Sequence, residues 1–185
     1  MTARVDVDEQ APQPGSTDLT PLVSAARSGD RAAFAELYAR FSRLVHGIVL
    51  SRVARIEVDD LVQDVFVTAM QRLPSLEQPA AFGGWIAAIA RNHATDHLRR
   101  TPATEVFEEH HARSVPPADE GDAARALAAI RRLPEAYREP LMLRLVEGLT
   151  GPEIAALTGL TPGSVRVNLH RGMKLLRANF EGPTR

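Results

Sequence analysis

Between Thr150 and Arg177, in the run TGPEIAALTGLTPGSVRVNLHRGMKLLR, hydrogen-bonding and cationic side chains recur on one side of a helical period. At about 100° per residue, Ser164, Val167, His170, Arg171 and Lys174 share a face, with Arg166 and Arg177 on its borders and no acid among them. A hydroxyl, an imidazole, guanidinium groups and an ammonium on an acid-free helix suit a DNA major groove. Residues near the start of such a helix reach base edges, and later cations meet phosphates. Val167, apolar at the centre of the face, has the chemistry to touch a thymine methyl. The other side, Val165, Leu169, Gly172 and Leu176, is apolar or small and faces a core.

Two further groups stand out. Asp59, Asp60, Gln63 and Asp64 crowd the first turns of VDDLVQDVFVTAMQRL (58 to 73). Negative charge at a helix N-terminus suits the helix dipole, which accounts for Asp59 and Asp60 but less well for Gln63 and Asp64. An acidic face repels phosphate, so the partner it suits is a basic protein surface. Arg91, Asn92, His93, Asp96, His97, Arg99 and Arg100 follow one another within ten residues. Arginines and amides near an aromatic are what single-stranded DNA needs, cations for its backbone and a ring for its bases. Trp85, the nearby aromatic, reads as core.

His93 and His97 are four apart, as in zinc proteases, but Ala94 stands where the general-base glutamate belongs. His110 and His111 sit in an acidic stretch, and the chain has no cysteine, which excludes disulfides, thiolate zinc sites and thiol nucleophiles. No glycine-rich phosphate loop, nucleophile elbow or paired catalytic carboxylate occurs. No catalytic residue, metal or cofactor is expected.

The elements that must position these groups are all helical. Thr150 and Glu153 form a capping box, Gly159 is a left-handed stop, and Thr161 with Pro162 starts the next helix; the two helices make a helix-turn-helix. Upstream, Asp18 and Asp30 cap two helices. The second carries Phe34, Leu37, Tyr38, Phe41, Leu44, Val45 and Ile48 at core spacing. A third helix covers about Val58 to Leu73, with Leu61, Val62, Val65, Phe66, Ala69 and Leu73 inward, and Pro74 stops it. After the loop Pro74 to Ala81, a fourth runs from about Phe82 to Arg100. Asp122 to Leu133 is amphipathic through Leu127, Ile130 and Leu133, and Pro140 either kinks or restarts the helix leading to Glu147. The fold class is therefore all-α: two small helical domains joined by a flexible acidic linker, the C-terminal one containing the helix-turn-helix. Residues 1–17 read as a disordered arm, 18–101 as the first domain, 102–121 as the linker, 122–180 as the second domain and 181–185 as a tail.

Net charge is −1, low for a protein that holds DNA unaided, because phosphate neutralisation dominates nucleic-acid affinity. The charge is segregated instead. Residues 162 to 185 hold five cations and one acid, and residues 101 to 122 hold six acids and one cation, which fits a DNA binder that borrows affinity from a partner. Neither a membrane span nor a signal peptide is legible, so the expected location is the cytoplasm and no membrane insertion is expected.

The order of an acidic helix, an Arg/Asn/His/Asp helix, a tether and a helix-turn-helix resembles the extracytoplasmic-function sigma factors of bacterial RNA polymerase. The resemblance runs from Leu19 to Arg177. It is carried by GDRAAFAELYARF (29 to 41), VDDLVQDVFVTA (58 to 69), GWIAAIARNHATDHLRR (84 to 100), LPEAYREPLMLRLVEGLT (133 to 150) and IAALTGLTPGSVRVNLHRG (154 to 172). It implies that Asp60, Gln63 and Asp64 dock on the clamp helices of the polymerase's largest subunit, and that the polymerase flap is a further contact. It also implies that the Pro74 to Ala81 loop with Arg91, Asn92, Arg99 and Arg100 melts the downstream promoter element. Asp96 would orient neighbouring cations, and the acidic tether would thread toward the active cleft. Ser164, Arg166, Val167, His170 and Arg171, with Lys174 beside them, would read the upstream element. An anti-sigma protein is the expected regulator, covering the acidic helix or the recognition face. Relatives often carry serine at Val167 and arginine at Asn168, so the recognised sequence is expected to differ and phosphate contact to be weaker. Pro140 is also less usual in its helix.

The alternative reading is a two-domain helix-turn-helix regulator with an N-terminal sensor domain. Such a regulator binds duplex DNA alone, whereas a sigma factor requires core polymerase.

Overall fold

The computed structural model describes residues 18–100 and 122–181, so the expected arm, the linker and all of the expected tail but Glu181 lie outside the described residues. Among the described residues there are eight α-helices and no strand. The first four are α1 (Thr20–Arg27), α2 (Arg31–Leu50), α3 (Val58–Arg72) and α4 (Phe82–Arg100). The second four are α5 (Asp122–Arg131), α6 (Glu135–Leu145), α7 (Gly151–Thr158) and α8 (Pro162–Glu181).

Local chemistry fixes most boundaries. Asp18 accepts the amide of Thr20 at 2.9 Å, just ahead of α1. The Asp30 carboxylate accepts the amides of Ala32 and Ala33, satisfying two donors that an α-helix leaves orphaned at its start. Pro74 turns the end of α3 into a 3-10 turn over Leu73–Ser75, and a second such turn over Pro79–Ala81 leads into α4. Leu73 and Leu76 are buried and pin the loop, while Ser75, Glu77 and Gln78 are exposed on it.

α2, α3 and α4 pack on one another around Leu37, Phe41, Leu44, Val65, Phe82 and Ile86. Phe41 and Phe82 meet edge to face with centroids 4.9 Å apart, a favoured aromatic geometry. Trp85 is half-buried, 5.6 Å from Phe82. Tyr38 departs from the expected core. Its side of α2 meets the edge of α3, so its ring lies 4.4 Å from Phe66 while the residue stays 43 % exposed.

In the second half, α6, α7 and α8 surround Leu141, Met142, Leu143, Ile154 and Val165. Pro140 does not restart its helix: α6 runs through it, and its buried ring contributes apolar surface that offsets the lost hydrogen bond. The two halves share one continuous core, with α6 against α2 and α7 against α4.

Candidate functional site

The helix-turn-helix is built as its residues dictate. Thr150 Oγ1 accepts the Glu153 amide at 3.3 Å and Glu153 Oε2 accepts the Thr150 amide at 2.6 Å, so both orphan donors are satisfied. These bonds hold the Glu153 carboxyl below the usual carboxylate range. Gly159 closes α7 at φ +74°. Thr161 Oγ1 accepts the Ser164 amide at 3.1 Å and fixes the first turn of α8. Val165, Gly172 and Leu176 are buried, Leu169 is half-buried, and Ser164, Arg166, Val167, His170, Arg171, Lys174 and Arg177 are all exposed. Burying the small apolar side of α8 therefore leaves its hydrogen-bonding side in solvent. Beside it lies a groove of about 670 Å³ with Leu145, Leu169, Met173 and Ala178 among its lining and Arg144, His170, Lys174 and Arg177 as its basic members.

On α3, Asp59, Asp60, Gln63 and Asp64 are exposed. The same stripe continues into Val67 and Met70, 49 % and 55 % exposed, which periodicity alone did not flag as surface. Their spacing of seven residues from Asp60 and Gln63 respectively was the available signal. The acidic face thus has an apolar extension.

α4 divides its polar residues between two duties. Asn92, Arg99 and Arg100 are exposed, and Asp96 lies 3.7 Å from Arg99. His93 Nε2 is 3.0 Å from Thr68 Oγ1 and His97 Nε2 is 2.8 Å from Glu57 Oε1, so the two imidazoles tie α4 to α3 and to the turn before it. Arg91 is not in solvent with its neighbours. Its Nε and Nη2 donate to the two oxygens of Glu139 on α6, at 3.1 and 2.7 Å. Arg52, just past α2, donates to the same carboxylate at 3.0 Å and to Glu135 at 2.7 Å. Burial pushes the Glu139 carboxyl up, but the hydrogen bonds and charges of Arg91 and Arg52 outweigh it and hold Glu139 below the usual range.

Residues 37–103 match the family model described as Sigma-70 region 2, and residues 123–176 match Sigma-70, region 4. The RNA polymerase sigma factor CarQ of Myxococcus xanthus is 33 % identical over 159 residues, covering 82 % of this chain and 91 % of CarQ. The chain belongs to the extracytoplasmic-function RNA polymerase sigma factors. The sigma factor RpoE of Cereibacter sphaeroides is also 33 % identical, over 174 residues, covering 89 % of this chain and 96 % of RpoE. The solved structure of CnrH in complex with the cytosolic domain of CnrY matches 90 % of this chain and 99 % of that one, at 26 % identity and a TM-score of 0.62. Sigma factors direct core RNA polymerase to promoters, so this sigma factor is a DNA-binding initiation factor, and the sensor-domain regulator gives way to that reading. Among the described residues no helix is long and apolar enough to cross a membrane.

Proposed function

We propose that this sigma factor divides promoter-directed initiation between three exposed surfaces, acting in the cytoplasm and catalysing no reaction of its own. The observation that carries the reading is the acid-free face of α8, whose hydrogen-bonding and cationic side chains are exposed together. Ser164, Arg166, Val167, His170 and Arg171 address base edges of the upstream element, and Lys174 meets phosphate.

Asp60, Gln63 and Asp64 grip core polymerase at a basic surface, the clamp helices of its largest subunit. The apolar pair Val67 and Met70 extends the grip, since desolvated apolar area supplies affinity where exposed charges mainly supply orientation. Residues 18–101 also hold the melted downstream element through the Pro74 to Ala81 loop, Asn92, Arg99 and Arg100, with Arg91 once it is free. Residues 122–180 read the upstream element and meet the flap.

An anti-sigma protein is the proposed regulator, supported by the complex of the similar CnrH with CnrY. The basic groove shares His170 and Lys174 with the recognition face, so an acidic amphipathic segment seated there excludes promoter DNA.

Transcription with core polymerase on a promoter library, with and without the protein, tests the reading. The expected result is a small set of promoters that fire only with the protein, and loss of all of them in Asp60→Arg/Asp64→Arg. Absence of stimulation at every promoter overturns it.

A further inference from the structure

The groove beside α8 is basic and apolar at once. Arg144, Lys174 and Arg177 stand at it together with Leu145, Leu169 and Met173, and Leu145 is 47 % exposed. A site of that make-up suits an acidic helix with an apolar stripe, and the chain carries one. At about 100° per residue, Asp60, Asp64 and Val67 of α3 fall within about 60° of one another, with Met70 beside them. The two surfaces also match in extent: at about 1.5 Å per helical residue, Asp60 to Met70 rises about 15 Å along α3 and Leu169 to Ala178 about 14 Å along α8. Among the described residues, no ion pair neutralises Asp60, Asp64, Lys174 or Arg177. We propose that α3 of one molecule seats in the α8 groove of a second copy, so that the free protein self-associates head to tail.

Within one molecule the two surfaces belong to different layers. α8 packs on α5, α6 and α7, whereas α3 packs on α2 and α4. The contact therefore forms between molecules. It uses two different surfaces, so a pair leaves one α3 and one groove unfilled, and further copies add on or a ring closes. Exposed ion pairs contribute little each, so the charges set the register while Val67 and Met70 against Leu145 and Met173 supply the affinity. Methionine on both sides adapts to an imperfect fit. A stripe of this length buries less than a standard interface, so the association is weak and reversible. A net charge of −1 leaves little long-range repulsion between copies.

A seated α3 covers Asp60 and Asp64 on one molecule and crowds His170 and Lys174 on the other. Self-association thus removes the polymerase grip and the promoter-reading face together, and core polymerase draws copies out by taking α3. That consequence rests on the assignment of these surfaces to polymerase and promoter; the association itself does not.

Sedimentation velocity of the full chain tests the association, from about 1 to 100 µM at low salt, the range expected for a contact below the standard area. The weight-average sedimentation coefficient is expected to rise with concentration and to return to the monomer value in high salt. Val67→Gln/Met70→Gln, which spoils α3, and Lys174→Glu/Arg177→Glu, which spoils the groove, are each expected to weaken association at least tenfold. Mixed in equal amounts, they are expected to form a dimer and nothing larger, because the native α3 of one fits the native groove of the other and no second matched pair remains.

A wild type that is monomeric at every concentration overturns the proposal and leaves the groove to a different chain. Variants that still associate alone, or whose mixture stays monomeric, overturn it equally, since the contact between copies then lies elsewhere. Core polymerase added in equal amount is expected to dissolve the wild-type oligomers. Oligomers that persist beside it keep the association and overturn the assignment of α3 to polymerase.

Discussion

His46 Nδ1 lies 2.5 Å from Glu147 Oε1, joining the C-terminal part of α2 to the turn that follows α6. The hydrogen bond that the ring donates to the Glu147 carboxylate pushes the imidazole pKa up; partial burial opposes it, and the charges of Glu147 and Asp59 add to the rise while Arg55 works against it. A raised histidine pKa stabilises the folded contact fully below the unfolded value of about 6.5 and loses that contribution as pH rises through the folded value. The contact between the halves should therefore be tighter at pH 6 than at pH 8. An NMR titration of the His46 ring should report a pKa above that of a free histidine, and Glu147→Gln should bring it down. An unshifted ring in the wild type would remove this pair from the interface.

The acidic stripe gives a prediction about partner rather than fold. Asp60 and Asp64 are exposed on α3, so Asp60→Arg with Asp64→Arg should leave the helical circular dichroism and the melting temperature nearly unchanged. Loss of the favourable dipole interaction costs at most about 1 kcal/mol per site. Affinity for core polymerase in a pull-down should nonetheless fall below detection, because a surface chosen for a basic partner then repels it. Met70→Ala should weaken binding less and without salt dependence. Equal binding by all three proteins would move the polymerase contact elsewhere.

Much of this molecule is legible in its residues wherever a rule acts within one or two turns. The bounds of α4, the capping box at Thr150 and Glu153, the left-handed Gly159 and the buried stripe Leu61, Val62, Val65, Phe66 and Ala69 follow from periodicity and cap chemistry. The exposed face of α8 follows from the same rule, because burying Val165 and Leu176 leaves only one way for the helix to turn. What the sequence hid is longer in range. Arg91 and Glu139 are 48 residues apart, and no pattern along the chain pairs them. Arg91 reads as one more cation in a cationic run, and nothing in the sequence singles out Glu139. The run Gly47 to Leu50 held the trace of this contact: all four are buried, more than one apolar face of α2 requires, because α6 covers the other side.

Arg171 is exposed on α8, one turn after Val167, where a side chain can reach either a base or a phosphate. If it pairs with a base edge, Arg171→Ala should cost about 1–3 kcal/mol at the cognate upstream element and relax the preference at one position. Promoter strength measured across single-base variants of that element distinguishes the cases. A uniform loss at every variant, with a salt dependence reduced by about one ion, would make Arg171 a phosphate contact.

The turn between α7 and α8 sets how the recognition helix is aimed, and Gly159 is its pivot. At φ +74° a residue with a Cβ is strained by about 1–2 kcal/mol, although nothing lies within 4 Å of where that Cβ would stand. Gly159→Ala should therefore lower the melting temperature through backbone strain alone. Gly159→Asn should recover part of the loss, because asparagine visits the left-handed region more readily than alanine. Thermal denaturation of the two variants beside the wild type tests the order wild type, asparagine, alanine. A steric cause would reverse the last two, since the larger side chain would then do more harm.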